Sequence, residues 1–240
     1  MKVLVLGASG ATGKLVVSQL YRRNIISRIV VRRNASLPEE ILHNQMIEII
    51  RGNISEFDYA TNVKLIEGCD AVVCCLGHNI SFKGMFGKPQ LLVYGALKNI
   101  CDAIIKDSHK KFKLILMNTT GHINKEASEK RSSGERTILS IIKVLLPPHR
   151  DNVSAASYLS QVIGKNHSSI EWIAVRPDTL INQESESPYD VFESPTRSPI
   201  FNAGKTSRIN VSHFIAELLI EEELWKRWKN KMPVIYNKEE

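Results

Sequence analysis

No run of apolar residues in the sequence approaches the roughly 18 that a membrane-spanning helix needs, and the opening run at residues 3–6 is too short for a secretory signal. The four cysteines form no CxxC pair, and they have no metal-like spacing with the seven histidines. Internal repeats and low-complexity tracts are also absent. From these absences we expect a reduced, cytoplasmic protein that has no membrane partner and no metal site.

Acidic residues are the scarcer of the two charge types. The 240-residue chain has 25 of them against 32 lysines and arginines, which gives a formal net charge of +7 and suggests an anionic partner. The basic residues are scattered in short clusters and match no nucleic-acid-binding motif, so we expect no nucleic-acid partner. With 43% hydrophobic and 24% charged residues, the chain has the composition of a globular protein with a sizeable core.

Short β-branched runs alternate with longer amphipathic stretches, a pattern typical of successive βαβ units. Strands are predicted at residues 2–6, 28–32, 46–51, 71–76, 113–117, 171–175 and 234–236. Helices are predicted at residues 11–23, 62–67, 89–106, 134–146, 151–165 and 211 to about 228, with Asp151 as the cap of the fifth. The pattern predicts an α/β fold in which a doubly wound parallel sheet is flanked by helices.

The chain shows no Pro- or Ser-rich linker in its first three quarters, so we expect one domain over residues 1–240. The segment 182–205 begins with a stretch rich in Ser, Pro and acids, which indicates a surface excursion or lid. Apolar residues within 218–228 serve either the core or an interface. The sequence therefore leaves open whether the chain forms a homodimer or binds a protein partner.

A glycine-rich turn, GASGATG at residues 7–13, follows the first strand and leads into an amphipathic helix. Gly7 permits a tight turn, Gly10 lets a pyrophosphate approach the backbone, and Gly13 allows close packing of helix on strand. The helix N-terminus and nearby hydroxyls attract phosphate, although the same glycines can serve packing alone. We predict that a dinucleotide is bound by Gly7, Ser9, Gly10, Ala11, Thr12 and Gly13.

The GxxGxxG spacing resembles that of the extended and atypical branches of the short-chain dehydrogenase/reductase superfamily. Further matches are Cys75-Leu76-Gly77, Asn118-Thr119-Thr120, Val175-Arg176-Pro177 and residues 206–211. Together they resemble the atypical family of NAD(P)H-binding reductases and sensors, which includes flavin and biliverdin reductases and nitrogen-regulator-like proteins. The resemblance implies a Rossmann-like fold with a small C-terminal substrate region.

The choice of nicotinamide cofactor depends on the end of the second strand. An NAD-specific site has an acid about 20 residues after the glycines, but here Arg32 and Arg33 stand there and no acid precedes Glu39. Guanidinium groups at that place suit a 2′-phosphate, although solvated surface arginines are the plainer alternative. We therefore favour NADP(H) over NAD(H) as the cofactor.

The resemblance also assigns residues to the rest of the dinucleotide. It implies that Asn53 and Ile54 flank the adenine, and that Leu76 and Gly77 pass beneath the adenosine ribose or the diphosphate. Asn118 and Thr120 follow a strand whose carboxyl end faces the ligand crevice, so we place them near the nicotinamide. Adjacent polar residues after a strand are also common turn formers.

The catalytic residues implied by the superfamily are a Tyr-x-x-x-Lys pair and a Ser or Thr after the fifth strand. Thr119 and Tyr158 are the candidates here. Val162 occupies the lysine position, however, and Lys165 lies two helical turns from the tyrosine, about 10 Å along the axis. Tyr158 therefore either lines the nicotinamide pocket or packs its own helix.

Hydride can pass to an acceptor without a strong protein acid when the acceptor takes its proton from water or is a flavin- or quinone-like ring. Met85, Phe86, Pro89 and residues 182–199 either form an apolar acceptor pocket or cover a core edge. The first hypothesis is an NADPH-dependent oxidoreductase that reduces a small or ring-shaped acceptor such as a flavin, quinone or carbonyl compound. The alternative is a non-catalytic NADP(H)-binding redox sensor that acts through a protein partner.

Overall fold

Strands and helices alternate along the chain in the computed structural model, which describes residues 1–78, 87–124, 127 and 129–238. The strands are β1 (Lys2–Leu6), β2 (Ile26–Val31), β3 (Ile47–Arg51), β4 (Ala71–Cys74), β5 (Phe112–Met117), β6 (Ile170–Pro177), β7 (Thr179–Ile181), β8 (Tyr189–Phe192), β9 (Lys205–Ser207) and β10 (Val234–Asn237). The described α-helices are α1 (Gly13–Arg22), α2 (Glu39–Leu42), α3 (Tyr59–Ile66), α4 (Leu92–Asp107), α5 (Ser133–Leu145), α6 (Pro147–Tyr158), α7 (Arg208–Ile220) and α8 (Glu222–Trp228).

The main sheet has the strand order β3-β2-β1-β4-β5-β6-β10-β8. Its neighbours pair in parallel except for β10 and β8, which are antiparallel. Because β1 pairs with both β2 and β4, the strand order reverses there and opens a crevice at the carboxyl ends of the strands. The predicted Rossmann-like, doubly wound α/β fold is confirmed.

Both faces of the central strands are buried, which explains their nearly continuous apolar sequences. Along β1, Val3 and Val5 pack with α1, α7 and α8 on one face, whereas Leu4 and Leu6 pack with α3, α4 and α6 on the other. Trp225 and Trp228 of α8 are buried in the first of these layers. Most apolar residues of the late helices therefore serve the core, whereas Ile220 is exposed.

Two predicted helices differ from the structure by more than a shift of a few residues at their ends. The late helix is interrupted at Glu221, because three consecutive acids disfavour a helix C-terminus but suit the first turn of α8. The helix predicted to begin at Asp151 begins instead at Pro147, since proline fits the first turn of a helix. Asp151 lies inside α6 and caps α4, accepting hydrogen bonds from the backbone N–H groups of Val93 (2.7 Å) and Tyr94 (2.9 Å).

Part of the predicted excursion over residues 182–205 belongs to the main sheet. Within it, β8 pairs with β10 and extends the sheet by one strand. Ser198, farther along the segment, donates a hydrogen bond to Glu135 Oε1 of α5 at 2.6 Å. Within the described ranges, no helix combines the length and apolar character needed to cross a bilayer, and no cluster of His, Cys, Asp and Glu suits a metal.

Candidate functional site

A cleft of about 280 Å³ lies at the carboxyl ends of β1, β2, β3 and β4, where the strand order reverses. The predicted cofactor residues that line it are Gly7, Ser9, Gly10, Arg32, Asn53, Ile54, Leu76 and Gly77. They come from four separate loops, and the parallel strands bring them to one edge of the sheet. This edge is where open α/β sheets bind ligands.

The glycine turn is held tightly against its surroundings. Gly7 has a φ of 77°, and a Cβ there would lie 2.6 Å from the carbonyl oxygen of Cys75. A Cβ on Gly13 would lie 2.8 Å from the carbonyl carbon of Gly7 and 3.0 Å from the Cα of Ala8. At Gly10 the closest atom to a Cβ is the Gly7 oxygen, at 3.1 Å. Gly7 and Gly13 are therefore required by the fold, whereas Gly10 lines open space in the cleft.

The remaining residues of the turn sit at the start of α1. Ala11 is exposed, whereas Thr12 is buried and makes no side-chain capping bond to the helix. The first turn of α1 contains no acidic residue. The N-terminus of α1 thus keeps the partial positive charge that favours a phosphate group.

Arg32 and Arg33 are both exposed at the end of β2. Arg51 braces their loop by donating hydrogen bonds from Nη1 to the carbonyl oxygens of Arg33 (3.3 Å) and Ala35 (3.0 Å). Within the part of the chain that the structure describes, neither Arg32 nor Arg33 has a side-chain hydrogen bond or ion pair. Both guanidinium groups are available to an anion.

A second cavity, of about 700 Å³, adjoins the cleft and shares Ser9, Arg32 and Asn53 with it. Arg33 and Ser36 also line this cavity. Sequence reasoning missed Ser36, although a small hydroxyl residue shortly after the arginine pair is a usable signal for phosphate binding. The predicted 2′-phosphate residues therefore lie together beside the cleft.

The side chain of Asn53 is engaged locally. Its Oδ1 accepts hydrogen bonds from the backbone N–H (3.3 Å) and the hydroxyl (2.9 Å) of Ser55, and its Nδ2 donates to Glu56 Oε1 at 2.8 Å. These bonds cap a short 3₁₀ helix (Ile54–Glu56), whose buried Ile54 faces the cleft. The adenine contacts of both residues remain predictions.

His78 also lines the cleft, next to Gly77, although no sequence motif points to it. Its Nε2 lies 2.8 Å from Oδ2 of Asp151, and both side chains are almost fully buried. Asp151 thus connects the loop after β4 to α6 and to the N-terminus of α4. A contact between a histidine and an aspartate so far apart in the sequence could not be predicted from the sequence.

Three polar residues follow β5, namely Asn118, Thr119 and Thr120. None of them is among the described residues that line the cleft. Asn118 donates from Nδ2 to a backbone carbonyl of α6 at 2.8 Å. The Thr119 hydroxyl accepts from the N–H of Gly121 at 3.1 Å, and the Thr120 hydroxyl donates to Asp178 Oδ1 at 3.1 Å. These bonds fit the turn-forming alternative, and the cofactor and catalytic roles of the three residues remain predictions.

Tyr158 packs in the core between α4 and α6. Only 6% of it is exposed, and its ring meets that of Tyr94 edge to face with centroids 5.8 Å apart. Burial raises the pKa of the Tyr158 phenol. Val162, in the position expected for a lysine, is 67% exposed. The geometry favours the packing alternative for Tyr158, and its catalytic role remains a prediction.

The predicted acceptor pocket can be followed only in part. Met85 and Phe86 lie outside the described residues, whereas Pro89 lines the cleft together with Leu92. The acceptor pocket therefore stays a prediction.

A family model described as NAD(P)H-binding matches residues 7–222 of the chain. The chain belongs to this family, and the predicted placement among the NAD(P)H-binding proteins of the atypical short-chain dehydrogenase/reductase group is confirmed. An uncharacterized chloroplastic protein of Arabidopsis thaliana is 25% identical over 222 residues, which are 92% of this chain and 73% of that protein.

Solved structures share the fold at low sequence identity. An anaerobillin reductase from Escherichia coli O157:H7 is 14% identical with a TM-score of 0.68, and the match covers 100% of this chain and 98% of that one. A short-chain dehydrogenase/reductase from Veillonella parvula, solved in complex with NADP, is 14% identical with a TM-score of 0.69, with 98% and 94% covered. These likenesses establish the fold alone.

Proposed function

We propose that this chain, as a member of the NAD(P)H-binding family, is an NADPH-dependent oxidoreductase that transfers hydride to a small or ring-shaped acceptor such as a flavin, quinone or carbonyl compound. The observation that carries the proposal is the cleft itself, in which the glycine turn and two unpaired arginines meet where the strand order reverses. NAD(P)H binding follows from the family, whereas the preference for NADPH and the acceptor class are proposed here.

The residues of the cleft fit a dinucleotide. The open face of Gly10 and the uncapped N-terminus of α1 suit a diphosphate, and the adjoining cavity with Arg32, Arg33 and Ser36 suits a 2′-phosphate. Bound NADPH supplies the hydride. The acid that would bind a free 2′-hydroxyl is missing at the end of β2, which supports NADPH over NADH.

The contribution of the protein is then mainly to orient the two reactants and exclude water. The superfamily resemblance makes Thr119 and Tyr158 candidate proton donors, but neither is among the described residues that line the cleft. An acceptor that takes its proton from water, or a flavin- or quinone-like ring, needs neither of them. This is why we propose that acceptor class.

Cofactor preference is tested by fluorescence titration with NADPH and NADH. We expect the wild type to bind NADPH at least about tenfold more tightly, which corresponds to about 1.4 kcal/mol. The double variant Arg32→Ala/Arg33→Ala is expected to lose this preference, whereas Arg22→Ala, which removes an exposed arginine at the far end of α1, keeps it. Equal affinities in the wild type, or a preference that survives in the double variant, would refute the cofactor assignment.

Turnover is tested by mixing the protein and NADPH with a panel of flavins, quinones and carbonyl compounds. The proposal expects NADPH oxidation that depends on one of these acceptors. Tight NADPH binding without oxidation across the panel would refute the reductase and favour a non-catalytic NADP(H)-binding redox sensor that acts through a protein partner. The burial of Tyr158 and the exposed apolar face of α5, formed by Ile141, Val144 and Leu145, support that second candidate.

A reducing compartment such as the cytoplasm is part of the proposal. It is supported by the four cysteines, which are all buried and unpaired, and burial raises the pKa of the Cys74 thiol to about 12. The name of the Arabidopsis relative places that protein in the chloroplast. Subcellular fractionation with an antibody to this chain would distinguish a cytoplasmic from a chloroplast location.

A further inference from the structure

A separate cavity of about 490 Å³ lies between the loop after β5, α5 and α6. Its volume falls within the range of roughly 300–1,000 Å³ that is typical of small-molecule sites. The lining residues that bear on its chemistry are His122, Arg136, Lys143 and His149. None of these residues belongs to the cofactor cleft described above.

The charged residues among the described lining of this cavity are both cations. Arg136 and Lys143 lie two turns apart on α5, so they share one face of the helix. Arg136 uses Nε to donate to the carbonyl oxygen of Arg131 at 3.1 Å, and its terminal N–H groups have no partner among the described residues. The described lining residues include hydroxyl, amide and imidazole groups but no Asp or Glu.

His122 brings a buried polar atom that has no partner. Only 7% of the residue is exposed, and its Nδ1 makes no hydrogen bond within the described structure. A buried polar group without a partner costs roughly 1–3 kcal/mol. The neighbouring His149 packs its ring against the loop, since a Cβ on Gly121 would lie 2.8 Å from its Cε1.

Burial and nearby cations act on both imidazoles of the cavity. Burial and the charges of Arg176 and Lys143 lower the pKa of His122 to about 4, and burial and Lys143 also lower the pKa of His149. Both rings are therefore neutral at pH 7, and each then has one N–H to donate. Neutral donors beside two fixed cations suit an oxyanion.

We propose that this cavity binds the carboxylate or phosphate group of a small organic ligand, through Lys143, Arg136 and the imidazole of His122. The first turns of α6 lie between the cavity and the cofactor cleft. On the cleft side Asp151 contacts His78, and on the other side Val153 lines the cavity. The ligand would thus bind next to the cofactor. Binding at this cavity is a claim independent of the proposed hydride transfer.

The test is an NMR titration of the intact protein with benzoate and, separately, with inorganic phosphate, at constant ionic strength. The histidine ring signals are followed, with His122→Gln and His149→Gln used for assignment. We expect saturable shifts at His122 and His149 from at least one of the two anions. His43, which is exposed on the protein surface, serves as the internal reference and should not shift.

The matched variants are Lys143→Gln and Lys64→Gln, and each removes an exposed lysine from a helix. Lys143 lines the cavity, whereas Lys64 lies outside it. Lys143→Gln is expected to weaken anion binding at least about tenfold, and Lys64→Gln to leave it unchanged. The proposal is overturned if neither anion gives saturable shifts at the two rings, or if Lys143→Gln binds as the wild type does. Shifts from benzoate alone identify a carboxylate site, and shifts from phosphate alone identify a phosphate site.

NADPH titration of the same samples keeps the two proposals apart. A protein that binds NADPH but shows no anion response refutes only the anion site. A protein that binds the anion through Lys143 but has no preference for NADPH refutes only the cofactor assignment.

Discussion

Alanine substitutions at Gly13 and Gly10 separate the two roles of the glycine turn. A methyl group on Gly13 would meet the backbone of Gly7 and Ala8 at 2.8 and 3.0 Å, so α1 must move away from the turn. That movement disturbs the buried face of α1, which includes Val16 and Leu20. Overpacking against a backbone costs about 3 kcal/mol, at the upper end of the usual range. For a chain of this size, we expect the Tm to fall by roughly 6–12 °C.

Gly10→Ala is expected to affect cofactor binding instead of stability. Its added methyl group has one close neighbour, the Gly7 oxygen at 3.1 Å, which has to shift by only a few tenths of an ångström. The reduced freedom of the unfolded chain offsets part of this strain, by about 0.4–1 kcal/mol. Because the methyl group projects where a diphosphate approaches, NADPH affinity should fall at least about tenfold, or about 1.4 kcal/mol.

The assay combines thermal unfolding by circular dichroism, without cofactor, with fluorescence titration of NADPH. A Gly13→Ala protein that melts within about 2 °C of the wild type would show that helix and turn are less closely packed than the structure indicates. A Gly10→Ala protein that binds NADPH normally would show that the diphosphate does not approach this residue. The two variants serve as controls for each other, since each is expected to change mainly one of the two measurements.

Three further predictions concern single side chains. Asp151→Ala leaves the N–H groups of Val93 and Tyr94, one buried and one partly buried, unpaired at the start of α4. It should lower the free energy of unfolding by at least about 3 kcal/mol in urea titrations, and a loss below about 1 kcal/mol would contradict this. His122 has a pKa of about 4 when folded and an ordinary value of about 6.5 when unfolded. The unfolded chain therefore binds more protons, so stability should fall as pH drops from about 6.5 to about 4, by up to about 3 kcal/mol, and the fall should shrink in His122→Gln. Tyr158→Phe should keep turnover within about twofold, because the phenol lies in the core, and a tenfold loss of NADPH oxidation would instead place its hydroxyl in the chemistry.

The sheet could be predicted from the sequence because its strands are buried on both faces and bounded by turn residues. The hydrophobic runs located β1, β4 and β5 to within two residues at either end. Less regular features depended on tertiary contacts. Strand β8 has no continuous apolar run and forms only because β10 offers it an edge. The role of Asp151 depended on α4, which the local sequence around the aspartate does not reveal.

The cofactor side of the site was more accessible to sequence reasoning than the acceptor side. The glycine turn and Arg32 are local features, and the fold brings them to one cleft. Thr119 and Tyr158 were chosen by position relative to strands and by the superfamily pattern. Their orientation depends on packing between helices, and a shift of one or two positions along a helix decides whether a side chain faces a cleft or a core. The contact between His78 and Asp151 could not be predicted, because the two residues are distant in sequence.

The distribution of ion pairs gives the net charge of +7 a more specific meaning. Several cations are held by acids, among them Arg176, whose buried guanidinium lies 2.6 Å from Glu129. In contrast, Arg32 and Arg33 make no ion pair among the described residues, and they line cavities at the carboxyl edge of the sheet. Lys143 lines a further cavity whose described walls contain no acid. Unpaired cations around concave surfaces attract small anions more strongly than dispersed surface charges do. The positive balance is therefore better explained by small phosphorylated or carboxylated ligands than by a polyanion.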